Sequence, residues 1–180
     1  MLKHGLISNT AHWAELLNFN TSDIDYTALK QLVGRSVQVK EDIVEQDPFE
    51  HGIRKALNLG HTVGHAFESM ALAENRPVLH GYAVAWGIVC ELYLSHLKVG
   101  FPKEKMRQTI QFIKDNYGVF TFDCKKYEQL YAFMTHDKKN TSGTINFTLL
   151  KDIGDIRINQ IADKDTIFEM LDFYRECMGI

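Results

Sequence analysis

The sequence predicts a mainly α-helical domain carrying one small β-hairpin. Two observations predict it. Apolar residues recur at three- and four-residue spacing through most of the 180 residues, as helices with a buried face require. The period changes to two around Gly154, where Thr144 to Leu150 and Asp155 to Ile158 alternate polar and apolar side chains, the pattern of a hairpin.

The elements follow in order. Leu6, Ile7, Trp13, Leu16 and Leu17 predict a helix over residues 6–18. Ser22 with Asp23 and Asp25 reads as the next helix start, with acids in the first turn. From there Leu29, Leu32, Val33, Val37, Val39, Ile43 and Val44 carry a stripe to Asp47, with Gly34 as a candidate kink. Residues 48–58 form a mixed connection. A buried helix is expected from about Gly60 to Glu74, where Gly60, Gly64 and Ala66 would admit another backbone. Tyr82 to Leu97 is apolar nearly all round, as a central core helix is. Pro102 opens an amphipathic helix ending near Gly118. A shorter helix runs from Lys125 to Phe133, and after the hairpin Asp163 or Asp165 caps a last helix to about Cys177.

Composition narrows the classes. At 45% hydrophobic residues the chain can bury a real core, as one domain or one lobe of a larger enzyme. A formal charge of −3 excludes a nucleic-acid surface built on net charge but allows a local basic pocket. Cys90, Cys124 and Cys177 are odd in number and widely spaced. They form neither a disulfide framework nor a metal knuckle, so a reduced, cytoplasmic setting is expected. No leader of basic residues followed by an apolar run is visible, and no window reaches the roughly 18 apolar residues of a membrane helix. The chain opens on Met1-Leu2-Lys3-His4-Gly5-Leu6-Ile7 without a helix cap, so its parent is expected to continue upstream.

The chemistry concentrates in Asn58-Leu59-Gly60-His61-Thr62-Val63-Gly64-His65-Ala66 and in Leu79-His80-Gly81. His61 and His65 share a helix face, and His80 opens the apolar helix. Imidazole is the commonest neutral metal ligand near pH 7. A lone buried histidine more often serves packing. Here Lys40, Glu41, Asp47, Glu50, Arg54, Asn58 and Glu68 surround the same core-like helix, and burying so many charges is costly unless they pair or bind something. A His-x-x-x-His pair also occurs in zinc proteases, but their base beside the first histidine is replaced here by Thr62. His61 and His80 are candidate ligands, and a carboxylate would complete a catalytic zinc site. A second cluster, His136-Asp137-Lys138-Lys139-Asn140 before Ser142-Gly143, reads alone as a solvated loop. Its adjacent lysines could also grip a phosphate, while Arg54 and Lys40 suit a carboxylate.

These residues carry a resemblance. Lys40, Asp47, Glu50, Gly52, Arg54, Leu57 to Ala66, Glu68, Leu79-His80-Gly81, Ala83-Val84 and Asp137-Lys138-Lys139 resemble, in order and spacing, the 3-dehydroquinate synthase family. The match runs from Lys3 to the hairpin and corresponds to the helical, C-terminal half of the family's protein.

The resemblance implies an NAD-binding α/β domain upstream of a helical domain that holds zinc, or cobalt, and substrate. It implies conversion of 3-deoxy-D-arabino-heptulosonate 7-phosphate to 3-dehydroquinate and phosphate in the shikimate pathway, by a homodimer; from composition, no nucleic-acid or membrane partner is expected. By motif, His61 and His80 would be zinc ligands. His65 would belong to a proton relay with Glu50 as its partner. Lys40 and Arg54 would bind the substrate carboxylate, Asn58 a hydroxyl, Lys138 the phosphate, and Lys3 would match a substrate-binding lysine. The family's third, carboxylate ligand lies three residues before that lysine, which falls one position before Met1. The chain is therefore expected to be a single helical domain over residues 1–180, a C-terminal fragment without the NAD-binding half. It should fold at least partly and release no product alone.

Three other readings stay open. One is another sugar phosphate cyclase, making an aminocyclitol or valiolone-type product. A second is a non-catalytic helical module that keeps the motif as packing. A third is a metal-dependent phosphohydrolase, although the adjacent His136-Asp137 pair runs into two lysines.

Overall fold

A computed structural model of the chain describes residues 1–136 and 144–180. It has eight α-helices and one hairpin among those residues: α1 Leu2–Ser8, α2 Thr10–Leu17, α3 Tyr26–Gln46, α4 His61–Ala73, α5 His80–Val99, α6 Lys103–Tyr117, α7 Tyr127–Thr135 and α8 Lys164–Met178, with β1 Asn146–Asp152 and β2 Asp155–Ile161. Short 3₁₀ turns at Ile53–Asn58 and Cys124–Lys126 join α3 to α4 and lead into α7. The mainly α architecture with a single antiparallel hairpin matches the expectation from the sequence.

Helix boundaries differ where polar side chains compete with the backbone. The expected helix over 6–18 divides at Asn9, whose extended backbone ends α1 while its side chain accepts the His12 N–H at 2.9 Å and starts α2. The next helix begins after Asp25, not Ser22, because Asp25 accepts the Thr27 and Ala28 N–H groups. α3 then runs continuously through Gly34. Asp163, rather than Asp165, caps α8 through the Thr166 N–H.

α5 is the centre of the domain. Ala83 to Leu92 are buried without interruption, and α4, α6, α8, β1 and α1 pack around it. α4 approaches most closely because glycines line the contact. A Cβ on Gly87 would overlap the Gly60 carbonyl oxygen, and one on Gly64 would lie 2.9 Å from the Ala83 carbonyl oxygen. Phe67 of α4 meets Phe120, Phe122 and Tyr174 in an aromatic cluster with ring centroids 5.1–5.4 Å from Phe67. The buried Tyr174 hydroxyl is satisfied by the Phe120 backbone.

The hairpin carries two register shifts, one between Phe147 and Leu149 and one between Leu150 and Asp152. Phe147 to Leu150 are all buried, so the expected alternation is not one of burial. Thr148 is inside because its hydroxyl donates to the Lys55 carbonyl at 2.8 Å, and the Leu150 N–H bonds Ser95 of α5 at 3.0 Å. Gly154, at φ 79°, donates its N–H to Leu6 and fits against the Ser8 carbonyl at the α1–α2 break. The hairpin thus braces both the 3₁₀ turn and α1, which bear candidate site residues. All three cysteines are free thiols. Among the described residues, no helix is long and apolar enough to cross a membrane.

Candidate functional site

Three helix starts and one shaped loop build the site. α3 ends at Asp47, whose carboxylate accepts the N–H groups of Gly52 at 2.7 Å and of His51 and Arg54 at 3.0 Å. Desolvation opposes its ionisation. The three N–H donors and the neighbouring His51 outweigh that and hold its carboxyl below the usual range. Asp47, read from the sequence only as one acid among many, therefore organises the loop. Within it Glu50 sits at φ 59°, a left-handed conformation that a non-glycine residue adopts under constraint. Its carboxylate accepts the Asn58 side-chain amide at 2.8 Å. Arg54 is fixed by its own N–H to Asp47 and by its guanidinium to the Pro48 carbonyl.

Gly60 takes φ 79° to turn the chain into α4, making His61 its first residue. His80 likewise opens α5. The His61, His65 and His80 rings form a triangle with centroids 5.4, 5.4 and 5.6 Å apart. His61 Nδ1 lies 3.1 Å from the Leu59 carbonyl oxygen, and His80 Nδ1 lies 3.0 Å from the Glu68 carboxylate. A neutral imidazole that donates through Nδ1 carries its lone pair on Nε2. The donor chemistry of His61 and His80 therefore fits two ligands of a zinc or cobalt site. Among the described residues, no group of three His, Cys, Asp or Glu side chains is placed to hold a metal ion. His65 adds its ring to the triangle without completing such a group.

Two adjoining cavities meet at His61. One, of about 390 Å³, is lined by Lys3, His4, Lys40, Glu50, Arg54, Leu57, Asn58 and His61. The other, of about 250 Å³, includes Met1, Lys3, His4, His61, His80 and Tyr117. Lys3 reaches across from α1 to donate to the Leu57 carbonyl at 2.6 Å. The chain thus brings Lys3, Lys40, Glu50, Arg54, Asn58, His61, His65 and His80 to one region. Lys138, with Asp137 and Lys139, lies outside the described residues. Glu41, Lys40 and Glu50 are exposed, so the charges around α4 are not buried as expected; they line open cavities or solvent.

Two residues of this region escaped the sequence. His4 lines both cavities, and its Nδ1 is buried without a hydrogen-bond partner among the described residues. Burial, with the nearby N-terminal ammonium, Lys3, His12 and Lys40, pushes its imidazole down to about 4. Glu91 is fully buried in α5 and accepts the N–H groups of Gly60 at 2.6 Å and Val63 at 3.3 Å. The visible signal was a lone acid inside an apolar run.

The comparisons with known proteins agree with one another. The family model for the 3-dehydroquinate synthase C-terminal domain matches residues 1–140. A 3-dehydroquinate synthase of Parabacteroides distasonis is 58% identical over 180 residues, covering 100% of this chain and 51% of its own length. That of Leptospira interrogans is 40% identical over 166 residues, covering 88% of this chain and 45% of its own. The chain spans about half the length of the curated relatives it matches. Among solved structures, 2-epi-5-epi-valiolone synthase from Streptomyces hygroscopicus, with NAD⁺ and Zn²⁺ bound, superposes with TM-score 0.81 at 19% identity, over 97% of this chain and 49% of the other. A 2-deoxy-scyllo-inosose synthase complexed with carbaglucose-6-phosphate, NAD⁺ and Co²⁺ gives TM-score 0.71 at 19% identity, over 97% and 49%. At these identities the two structures share the fold.

Proposed function

The chain belongs to the 3-dehydroquinate synthase family, and on that premise we propose that it is the metal- and substrate-binding helical half of such a synthase. The whole enzyme would convert 3-deoxy-D-arabino-heptulosonate 7-phosphate to 3-dehydroquinate and phosphate. One observation carries the reading: Lys3, Lys40, Arg54, Asn58, Glu50 and His61 line a single cavity, and His61 also belongs to the His61–His65–His80 triangle.

Each residue has a distinct task. His61 and His80 would hold zinc or cobalt through Nε2, with a carboxylate as third ligand. When bound, the metal would supply Lewis-acid polarisation of substrate hydroxyls, and NAD, held mostly by an N-terminal domain, would supply reversible hydride acceptance. Lys40 and Arg54 anchor the substrate carboxylate by charge and by the guanidinium fork. Lys3 adds a third cation to the same cavity. Asn58, held by Glu50, is placed to bond a hydroxyl. His65 moves a proton beside the ligand pair, with Glu50 as its partner in the relay. Lys138 supplies a cation for the phosphate. The full assembly is a homodimer in this proposal.

The test is a phosphate-release assay on the full-length protein with the heptulosonate phosphate, NAD and zinc. Phosphate release with formation of 3-dehydroquinate is expected, together with no release by the 180-residue chain alone. Cyclisation of a different sugar phosphate, with none of the acid, would reassign the enzyme to another cyclase of the same fold. The cations Lys40 and Arg54 favour the acid substrate over that reading. Turnover by this chain alone would overturn the assignment of half the site to another domain.

A further inference from the structure

We propose that Glu68 is the positioning residue that sets the tautomer of His80 and aims its Nε2 at the metal. The inference rests on the reading of His61 and His80 as ligands. Glu68 stands on α4 two turns after His61 and one turn after His65, on the face that carries both. Its carboxylate lies 3.0 Å from Nδ1 of His80, which begins a different helix. A carboxylate accepts and does not donate when ionised, so the ring must present Nδ1–H to it and keep its lone pair on Nε2.

His61 reaches the same state by another route, through the Leu59 carbonyl at 3.1 Å. Two rings 5.4 Å apart thus have the same nitrogen held and the same nitrogen directed away. The convergence of two unrelated acceptors on the two Nδ1 atoms is what ligand pairs require and packing does not.

The pair is poorly suited to any other purpose. The side chains of His80 and Glu68 are 53% and 30% exposed, and an exposed pair of this kind adds little to stability. The Glu68 carboxylate is engaged by Nδ1 of His80. It acts through His80.

The experiment uses this chain with ¹⁵N-labelled histidine and reads ring nitrogen shifts at pH 8.5 without metal. His80 is expected as the Nδ1–H tautomer in the wild-type chain. Glu68→Ala should return it toward the Nε2–H form that an unrestrained histidine prefers, while Glu68→Gln, which still offers an acceptor oxygen, should retain Nδ1–H. Zinc affinity is then measured in the full-length protein against a competing chelator. A loss of about 10- to 100-fold is expected for Glu68→Ala, a smaller loss for Glu68→Gln, and an unchanged thermal midpoint for both. An unchanged tautomer in Glu68→Ala, or zinc affinity within twofold of wild type, overturns the positioning role. If His61→Ala and His80→Ala also leave zinc affinity unmoved, or the full-length wild-type protein takes up no zinc, the ligand reading itself fails, and the tautomer shifts alone then decide what Glu68 does.

Discussion

The carboxylate of Glu91 in α5 accepts the backbone N–H of Gly60 at 2.6 Å, so the turn that presents His61 is held by an acid from the neighbouring helix. The same carboxylate takes the Val63 N–H, one of the donors left unpaired at the start of α4. Removing it strands two buried donors. Glu91→Ala should cost about 2–3 kcal/mol, seen as a lower urea midpoint. Glu91→Gln should recover less than half of that, because its amide nitrogen would face an N–H. Equal stability of wild type and Glu91→Ala would show that water replaces the carboxylate.

The two glycines of α5 make opposite predictions. Gly87→Ala forces a methyl group into the Gly60 carbonyl, where backbone cannot yield as a side chain would, and should cost about 1–3 kcal/mol or more. Gly81 has nothing within 4 Å of where a Cβ would stand. Gly81→Ala should therefore stabilise the helix by roughly 0.5–1 kcal/mol. Thermal unfolding of both variants decides it; a neutral Gly87→Ala would mean that α4 and α5 can separate.

Much of this arrangement was legible in the sequence because it depends on local period. The seamless apolar run of α5 and the glycines of α4 announce a central helix pair. What stayed hidden was long-range pairing. Thr148 reads as an outward strand residue until its hydroxyl is found on Lys55, and Asn9 reads as helix interior until it caps α2. At the site, motif spacing singled out His61 and His80, but the acceptors behind their rings belong to other turns. Glu68 was visible only as one charge in a cluster, and Asp47 read only as one acid among many although its carboxylate bonds the loop backbone. Nothing in a one-dimensional pattern distinguishes an acid that binds backbone from one that faces a substrate.

The buried histidines predict acid sensitivity well above the carboxylate range. His4 titrates near 4 in the folded chain against 6.5 in an ordinary setting, and burial also lowers His12. The unfolded chain therefore binds more protons between those values, so the contribution of these histidines is complete above pH 6.5 and is lost as pH drops toward 4. Because His4 is partly exposed, screening limits its share to about 1–2 kcal/mol. Asp47, Glu74, Asp152 and Asp163, all lowered, retain their contribution until the pH falls below the ordinary carboxylate values of 3.8–4.5. Urea unfolding at pH 7.5 and 5.0 separates the two groups. His4→Gln should narrow the difference, and an unchanged gap would place the acid sensitivity elsewhere.

Arg54 predicts how the cavity recognises its ligand. The backbone bond to Asp47 and the guanidinium bond to Pro48 fix the side chain beside Lys3 and Lys40. Point charge is already supplied there by two lysines, so the distinctive contribution of Arg54 is its planar fork. Arg54→Lys keeps the net charge and loses the bidentate geometry. Calorimetric titration of the full-length protein with the heptulosonate phosphate should then show about tenfold weaker binding. The same titration with an analogue lacking the carboxylate provides the second half of a double-change cycle. Wild type and Arg54→Lys should bind that analogue alike if Arg54 reads the carboxylate. If the tenfold difference persists, Arg54 contacts another part of the ligand, and the carboxylate assignment moves to Lys40.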